Sequence, residues 1–285
     1  MEIKTVGVIG AGVMGVGVAQ NLAQTSHQVI LKDISEEILT KGKEEIRNNI
    51  RFQGFFNKKN LEDPENVLQK ITFTTDYQLL KDADFVVENV TEKWDIKKDV
   101  YAQIDAICPE HCIFAANTSA ISITRIGSAT KRPTKVIGMH FMNQVPQKKT
   151  VETIRGYHTS EETIETSKKF LAQMGKDCII VNDAPGFVAN RLYHLFMNEA
   201  ANLVMENVAE PKDIDEIFKK GYGHAMGPLK TADLIGLDTV VDTLQVLYED
   251  YQDSKFRCSS LLKKMVEAGL YGRKSGQGFY TYQRV

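Results

Sequence analysis

In the first part of the chain, short apolar runs of strand length alternate with longer stretches of helical spacing. Thr5–Ile9, Gln28–Lys32, Ile71–Thr74, Phe85–Asn89, Cys112–Ala116 and Val136–His140 read as strands. Alternation of this kind predicts a doubly wound parallel sheet, whose ligands sit at the carboxyl ends of the strands. Between the second and third runs, Ser35 to about Lys70 is helical and charged, and Gly54 with Leu61–Pro64 divides it into a hairpin. Asp183-Ala184-Pro185-Gly186 is a break, and after it the strand pattern disappears. Phe187–Val208, Ile214–Lys220, Thr231–Tyr251 and Leu261–Ala268 are helical, and the glycine-punctuated tail Gly272–Tyr280 reads as an ordered closing loop. An α/β domain over residues 1–184 followed by an all-helical domain over 185–285 is therefore expected. Val188, Leu192, Leu195, Phe196, Leu203 and Val204 give the leading helix its apolar stripe. Such stripes also suit a subunit interface, so a homodimer is expected.

The first strand ends directly in Gly10-Ala11-Gly12-Val13-Met14-Gly15, and Val16–Ala23 continues as a helix. Gly10 permits a tight turn, Gly12 lets the backbone approach a pyrophosphate, and Gly15 lets helix and strand pack closely. The helix N-terminus then faces the phosphates. The second strand ends at Asp33, eighteen residues beyond Gly15, where a carboxylate can hold both ribose hydroxyls. These features together predict a Rossmann-type sheet that binds a nicotinamide or flavin dinucleotide. Asp33 would repel a 2′-phosphate, which favours NAD over NADP, and the neighbouring Lys32 weakens that preference only slightly.

Candidate chemistry gathers just past the strand ends. Glu88 and Glu92 follow one strand, Asn117-Thr118-Ser119 the next, and His140 and Asn143 the one after. Val136–Met139 delivers His140, and a turn around Val145-Pro146 leads into a second β-type run containing Glu152. An imidazole beside a carboxylate suits a general base, because the carboxylate fixes the tautomer and favours the protonated ring. Asn190, in the first turn of the helix after the break, can face a cleft between the domains. Taken singly, each of these is an ordinary cap or loop residue. Four sets meeting at one sheet edge point to a site. The turn from Arg51 to Lys59 mixes aromatics with bases, which suits a ligand's phosphates, a partner protein, or phenylalanines packed between helices.

Composition narrows the classes further. With 285 residues, 42% of them hydrophobic, the chain can build one large core and a smaller one, and its net charge of −2 gives no reason to expect nucleic acid or an anionic membrane. Cys108, Cys112, Cys178 and Cys258 are too scattered for a disulfide framework, and no Cys/His cluster has zinc-site spacing. No metal is expected, and the cysteines read as reduced thiols of a cytoplasmic protein. The N-terminal residues show no basic segment leading into an apolar one and no eighteen-residue apolar run occurs, so neither secretion nor a membrane span is expected.

Assembled, these residues make the chain resemble the 3-hydroxyacyl-CoA dehydrogenase family over essentially its whole length, especially its short bacterial members acting on 3-hydroxybutyryl-CoA. The carriers are V-I-G-A-G-V-M-G, N-T-S from Asn117, G-M-H-F-M-N from Gly138, D-A-P-G-F-V-A-N-R from Asp183, A-M-G-P-L from Ala225 and G-R-K-S-G-Q-G-F-Y near the end. The resemblance implies a catalytic pair of His140 and Glu152, with Ser119 and Asn190 holding the reacting oxygen and Asn143 in the same pocket. It also implies that Glu92, Lys97 and Asn117 line the nicotinamide half of the cofactor site. Met142, Gln144, Lys148, Thr150 and Ala120 depart from the family pattern, and Phe55 and Phe56 stand about where relatives acting on CoA thioesters carry phosphate-binding lysines, with Lys58 and Lys59 nearby. Three functions follow from the resemblance: NAD-linked oxidation or reduction of a short hydroxyacyl-CoA, the same chemistry on a polar acyl group carried by an acyl carrier protein, or NAD binding without turnover. Lys148 and Phe56 are the substrate-side residues that favour the second.

Overall fold

The computed structural model describes residues 3–56 and 62–283, apart from the side chains of residues 54–56. The side chains of Phe55 and Phe56, expected on the substrate side, and the residues Lys58 and Lys59 lie outside what the structure describes. Two compact units divide the chain, Met1–Ala184 and Pro185–Val285.

The first unit is built on one eight-stranded sheet. Its elements in chain order are β1 (Thr5–Ile9), α1 (Val13–Gln24), β2 (Gln28–Lys32), α2 (Glu36–Phe56), α3 (Pro64–Leu68), β3 (Ile71–Thr74), β4 (Phe85–Glu88), α4 (Trp94–Ile107), β5 (Ile113–Ala116), α5 (Ile123–Gly127), β6 (Val136–Phe141), β7 (Thr150–Arg155), α6 (Glu161–Gln173) and β8 (Asp177–Asn182). The strand order is β3-β2-β1-β4-β5-β6-β7-β8. Strands β3 to β6 run parallel, and β7 returns antiparallel to β6. The chain winds outward from β1 through β2 to β3 and then restarts at β4 on the other side of β1. The topological switch point therefore falls between β1 and β4, where the crevice beyond the strand ends is open to a ligand.

The parallel strands read as apolar runs because helices cover both faces: Val6, Val8, Phe85, Val87, Ile113 and Ala115 belong to one buried cluster. Strand β8, with the helix α6 before it, does not stand out in the hydrophobic pattern. It lies at the sheet edge with residues only partly covered, so burial gives it no continuous apolar signature.

The second unit is helical: α7 (Ala189–Met205), α8 (Pro211–Gly221), α9 (Pro228–Ile235), α10 (Leu237–Tyr251) and α11 (Ser260–Glu267). The single helix expected over Thr231–Tyr251 is two helices, broken at Gly236 with φ of +106°. Helix α7 keeps Leu203 and Val204 of its expected stripe against the core but shifts the rest. It buries His194, Met197, Asn198, Ala200 and Ala201, while Leu192 is 63% exposed. Alanines on the core side let neighbouring helices approach closely, and that face wins over the larger side chains. Two buried aspartates organise the rest. Asp215 accepts the N–H groups of Leu229 and Lys230 at 2.9 Å each, capping α9, and the Tyr280 hydroxyl at 2.6 Å. Asp233 accepts the N–H groups of Phe279 and Tyr280 at 3.0 and 2.9 Å, which fixes the glycine-rich tail against α9. Among the described residues no helix is long and apolar enough to cross a membrane.

Candidate active site

The glycine turn after β1 has the geometry that its sequence requires. Gly10 adopts φ of +94°, and its N–H donates to the Lys32 carbonyl at 2.8 Å. A Cβ at Gly15 would lie 1.7 Å from the Gly10 carbonyl oxygen, so only glycine lets α1 come this near β1. A Cβ at Gly12 would meet nothing within 4 Å. Gly12 is the N-cap of α1 and provides no side chain to cap the first-turn N–H groups, which leaves them facing open space that suits a pyrophosphate.

Beside this turn lies a cavity of about 340 Å³, lined by Gly10, Gly12, Asp33, Ile34, Tyr77 and Val90 among others. Asp33 Oδ2 accepts the Ala11 N–H at 2.5 Å and Oδ1 accepts the Ile34 N–H at 2.6 Å. Each carboxylate oxygen keeps a lone pair for a ribose hydroxyl. Lys32 is buried with its ammonium 3.6 Å from the centroid of the Tyr77 ring, and burial pulls its pKa down against the pull of Asp33. Its charge is engaged by an aromatic face.

The catalytic candidates come together at the carboxyl ends of β5 and β6. In the antiparallel pair β6–β7, His140 stands directly opposite Glu152, so both side chains project from the same face. Glu152 Oε2 lies 3.0 Å from His140 Nδ1, and His140 Nε2 lies 3.1 Å from Ser119 Oγ. Both His140 and Glu152 are buried. An ionised Glu152 keeps the proton on Nδ1 of the neutral ring, which leaves Nε2 as an acceptor aimed toward Ser119.

The loop carrying Ser119 is held from below. Glu92 accepts the Ser119 N–H at 2.6 Å and the Thr118 hydroxyl at 2.9 Å. Lys97 lies 3.9 Å from Glu92 and donates to both oxygens of Glu88, at 2.8 and 3.0 Å. Lys97 and Glu88 are both fully buried. Burial pushes the Glu88 carboxyl up, and Lys97 pulls it back toward ionisation. The Lys97 ammonium is enclosed against Glu88, because a buried carboxylate demands a cation. Asn117 links three strand ends, donating to Asn89 Oδ1 at 2.7 Å and accepting the Phe141 N–H at 3.2 Å.

Asn143 lines a separate cavity of about 230 Å³ with residues of α1 and α2, including Val13, Gln20 and Asn49. Lys148 is exposed on the loop between β6 and β7. Asn190 lies in the first turn of α7 in the second unit. Thr118 is among the expected strand-end candidates, whereas the pattern does not single out Asn89 or Lys176. Asn89 sits at a strand end, which was the available signal, whereas Lys176 follows a helix and carried none.

Residues 5–184 match the family model described as "3-hydroxyacyl-CoA dehydrogenase, NAD binding domain", and residues 186–282 match that of the C-terminal domain. The chain belongs to the 3-hydroxyacyl-CoA dehydrogenase family. It is an NAD-dependent oxidoreductase of that family. It is 48% identical over 277 residues to a probable 3-hydroxybutyryl-CoA dehydrogenase of Deinococcus radiodurans, covering 97% of this chain and 99% of the relative. It is 37% identical to the mitochondrial hydroxyacyl-coenzyme A dehydrogenase of Sus scrofa, covering 99% of this chain and 92% of the relative. The crystal structure of (S)-3-hydroxybutyryl-CoA dehydrogenase from Ralstonia eutropha superposes with a TM-score of 0.95 at 41% identity, covering 99% of this chain and 100% of that one.

Proposed function

We propose that this chain interconverts a short (S)-3-hydroxyacyl-CoA and the matching 3-oxoacyl-CoA, with 3-hydroxybutyryl-CoA and acetoacetyl-CoA as the pair. The observation that carries this reading is the hydrogen-bonded line Ser119–His140–Glu152, at the same sheet edge as the Gly10–Gly15 turn. The names of the bacterial relatives at 42–48% identity support the acyl group.

NAD fits the residues present: the Gly10–Gly15 turn and the N-terminus of α1 would hold the pyrophosphate, and Asp33 the ribose. When bound, it supplies an acceptor for hydride, and its reduced form a donor. In the oxidative direction, His140 Nε2 takes the hydroxyl proton of the substrate as hydride leaves the carbinol carbon. Glu152 stabilises the resulting imidazolium, as a carboxylate does for an imidazole base. Ser119 orients the reacting oxygen and donates a hydrogen bond as alkoxide character develops; the family resemblance gives Asn190 the same role. The family resemblance assigns Asn143, three residues beyond His140, to the acyl thioester. In the reductive direction His140 returns the proton, so one hydride and one proton enter the carbonyl.

The second unit leaves large apolar side chains uncovered, with Ile217 57% and Leu234 50% exposed, which fits a homodimer. The deciding experiment follows NADH absorbance with acetoacetyl-CoA and with the same acyl group on an acyl carrier protein. Turnover on the CoA thioester that His140→Ala abolishes is the expected result. A large advantage for the carrier-protein thioester would replace CoA with that carrier, and NADH binding without turnover on either would leave a binding protein.

A further inference from the structure

Lys176 stands behind the loop that carries Asn143. After α6 ends at Gln173, Gly175 takes φ of +70°, and the Lys176 N–H donates back to the Leu171 carbonyl at 2.8 Å. This left-handed helix ending directs the next side chain inward. Lys176 is only 7% exposed, and its Nζ donates to the carbonyls of Val145 at 2.6 Å and Lys148 at 2.7 Å. Burial alone acts on its pKa, pulling it down with no carboxylate to oppose it. Among the described residues no carboxylate pairs with this ammonium, and in such a place it is tolerated only where strong acceptors meet its donors, here two carbonyls of one loop.

The other side of that loop faces α1 and α2 of the first unit. Val145 is buried and sits over Gly17 of α1, where a Cβ would come within 3.2 Å of it. Asn143 and Gln144 form one wall of the 230 Å³ cavity whose opposite wall includes Gln20 and Asn49. Lys176 thus ties down two points of the loop, and Asn143 lies immediately before the first of them.

We propose that Lys176 is a positioning residue: through the carbonyls of Val145 and Lys148 it fixes the loop 142–149 and thereby sets Asn143 for the acyl thioester. This rests on the role given to Asn143 above.

The test uses the full chain with acetoacetyl-CoA and NADH. Lys176→Met keeps the length and apolar stem but leaves both carbonyls without a donor. It raises KM for acetoacetyl-CoA by about tenfold while kcat changes by less than about threefold. Lys176→Arg retains donors and recovers most of the loss. Asn143→Ala raises KM similarly, and the double variant with Lys176→Met is no worse than Asn143→Ala alone, because both act through one contact. Independently of activity, hydrogen exchange at the loop amides of Lys176→Met accelerates by about tenfold or more while α1 stays protected. A wild-type KM in Lys176→Met, multiplicative losses in the double variant, or unchanged loop exchange overturns the proposal. A wild-type enzyme inactive on acetoacetyl-CoA sinks the functional reading instead, and the exchange measurement still decides whether Lys176 fixes the loop. If Lys176→Met does not fold, Lys176→Gln and the arginine variant carry the same comparison.

Discussion

At the scale of single residues, the catalytic reading depends on charge at one atom. Glu152 Oε2 is 3.0 Å from His140 Nδ1 in a buried site, so Glu152→Gln preserves shape and a hydrogen-bond acceptor but removes the charge that stabilises an imidazolium. We expect kcat to fall by about 10²–10³-fold with NADH affinity unchanged, the first read from steady-state rates and the second from a fluorescence titration. A loss of less than about tenfold would mean that His140 does not depend on its carboxylate. One layer down, Lys97 and Glu88 form an ion pair with no exposed surface. Lys97→Met strands a buried carboxylate and should cost about 3–5 kcal/mol in denaturant unfolding, whereas Glu88→Leu added to it should recover most of that loss. Equal stability of Lys97→Met and wild type would show that Glu88 tolerates burial without its partner.

At the scale of elements, strand β4 is tied to the start of β1 by one side chain. Asp84 Oδ2 accepts the N–H groups of Lys4 and Thr5 at 2.9 and 3.0 Å, and Oδ1 faces His111 Nε2 at 3.2 Å. Burial alone would raise the carboxyl pKa, but the Thr5 and Lys4 amides and His111 together bring it below the ordinary value of 3.8. A depressed folded pKa gives stability that is present above the unfolded value and lost as pH falls through the folded one. The advantage in melting temperature of wild type over Asp84→Asn should therefore hold above about pH 5 and shrink as pH falls from there to about pH 2. A gap that stays constant over that range would show that the charge of Asp84 contributes nothing.

The elements also show how far the sequence could be read. The parallel strands and the glycine turn were legible because burial on both faces and a pyrophosphate-sized gap leave marks in residue type. The His140–Glu152 pairing was legible because an apolar run, a turn and a second run fix an antiparallel register. The stripe expected on helix α7 holds at Leu203 and Val204, which pack against the core, but not at Val188 and Leu192, which are exposed while alanines and Asn198 are buried. The burial of Lys97 was hidden for a different reason. Its cause is Glu88, nine positions earlier in the chain and on another element, and no local pattern reports such a demand.

At the scale of the whole molecule, each unit has its own apolar cluster, and the dinucleotide features lie in the first. A ligand that binds only the folded state stabilises it by RT ln(1 + [L]/Kd), about 2.7 kcal/mol at a hundredfold excess over Kd. For domains of about 150–250 residues, each kcal/mol moves the transition by about 2–4 °C. NADH should therefore raise the melting temperature of the first unit by several degrees in calorimetry of the full chain. NADPH at the same concentration should raise it far less, because a 2′-phosphate placed about 4 Å from Asp33 meets a repulsion of about 1–4 kcal/mol between water and protein-surface dielectrics. Asp33→Ala removes that repulsion along with the ribose contact, so the two cofactors should then give small and nearly equal shifts. Equal shifts in the wild type would leave the preference for NAD without the carboxylate as its cause.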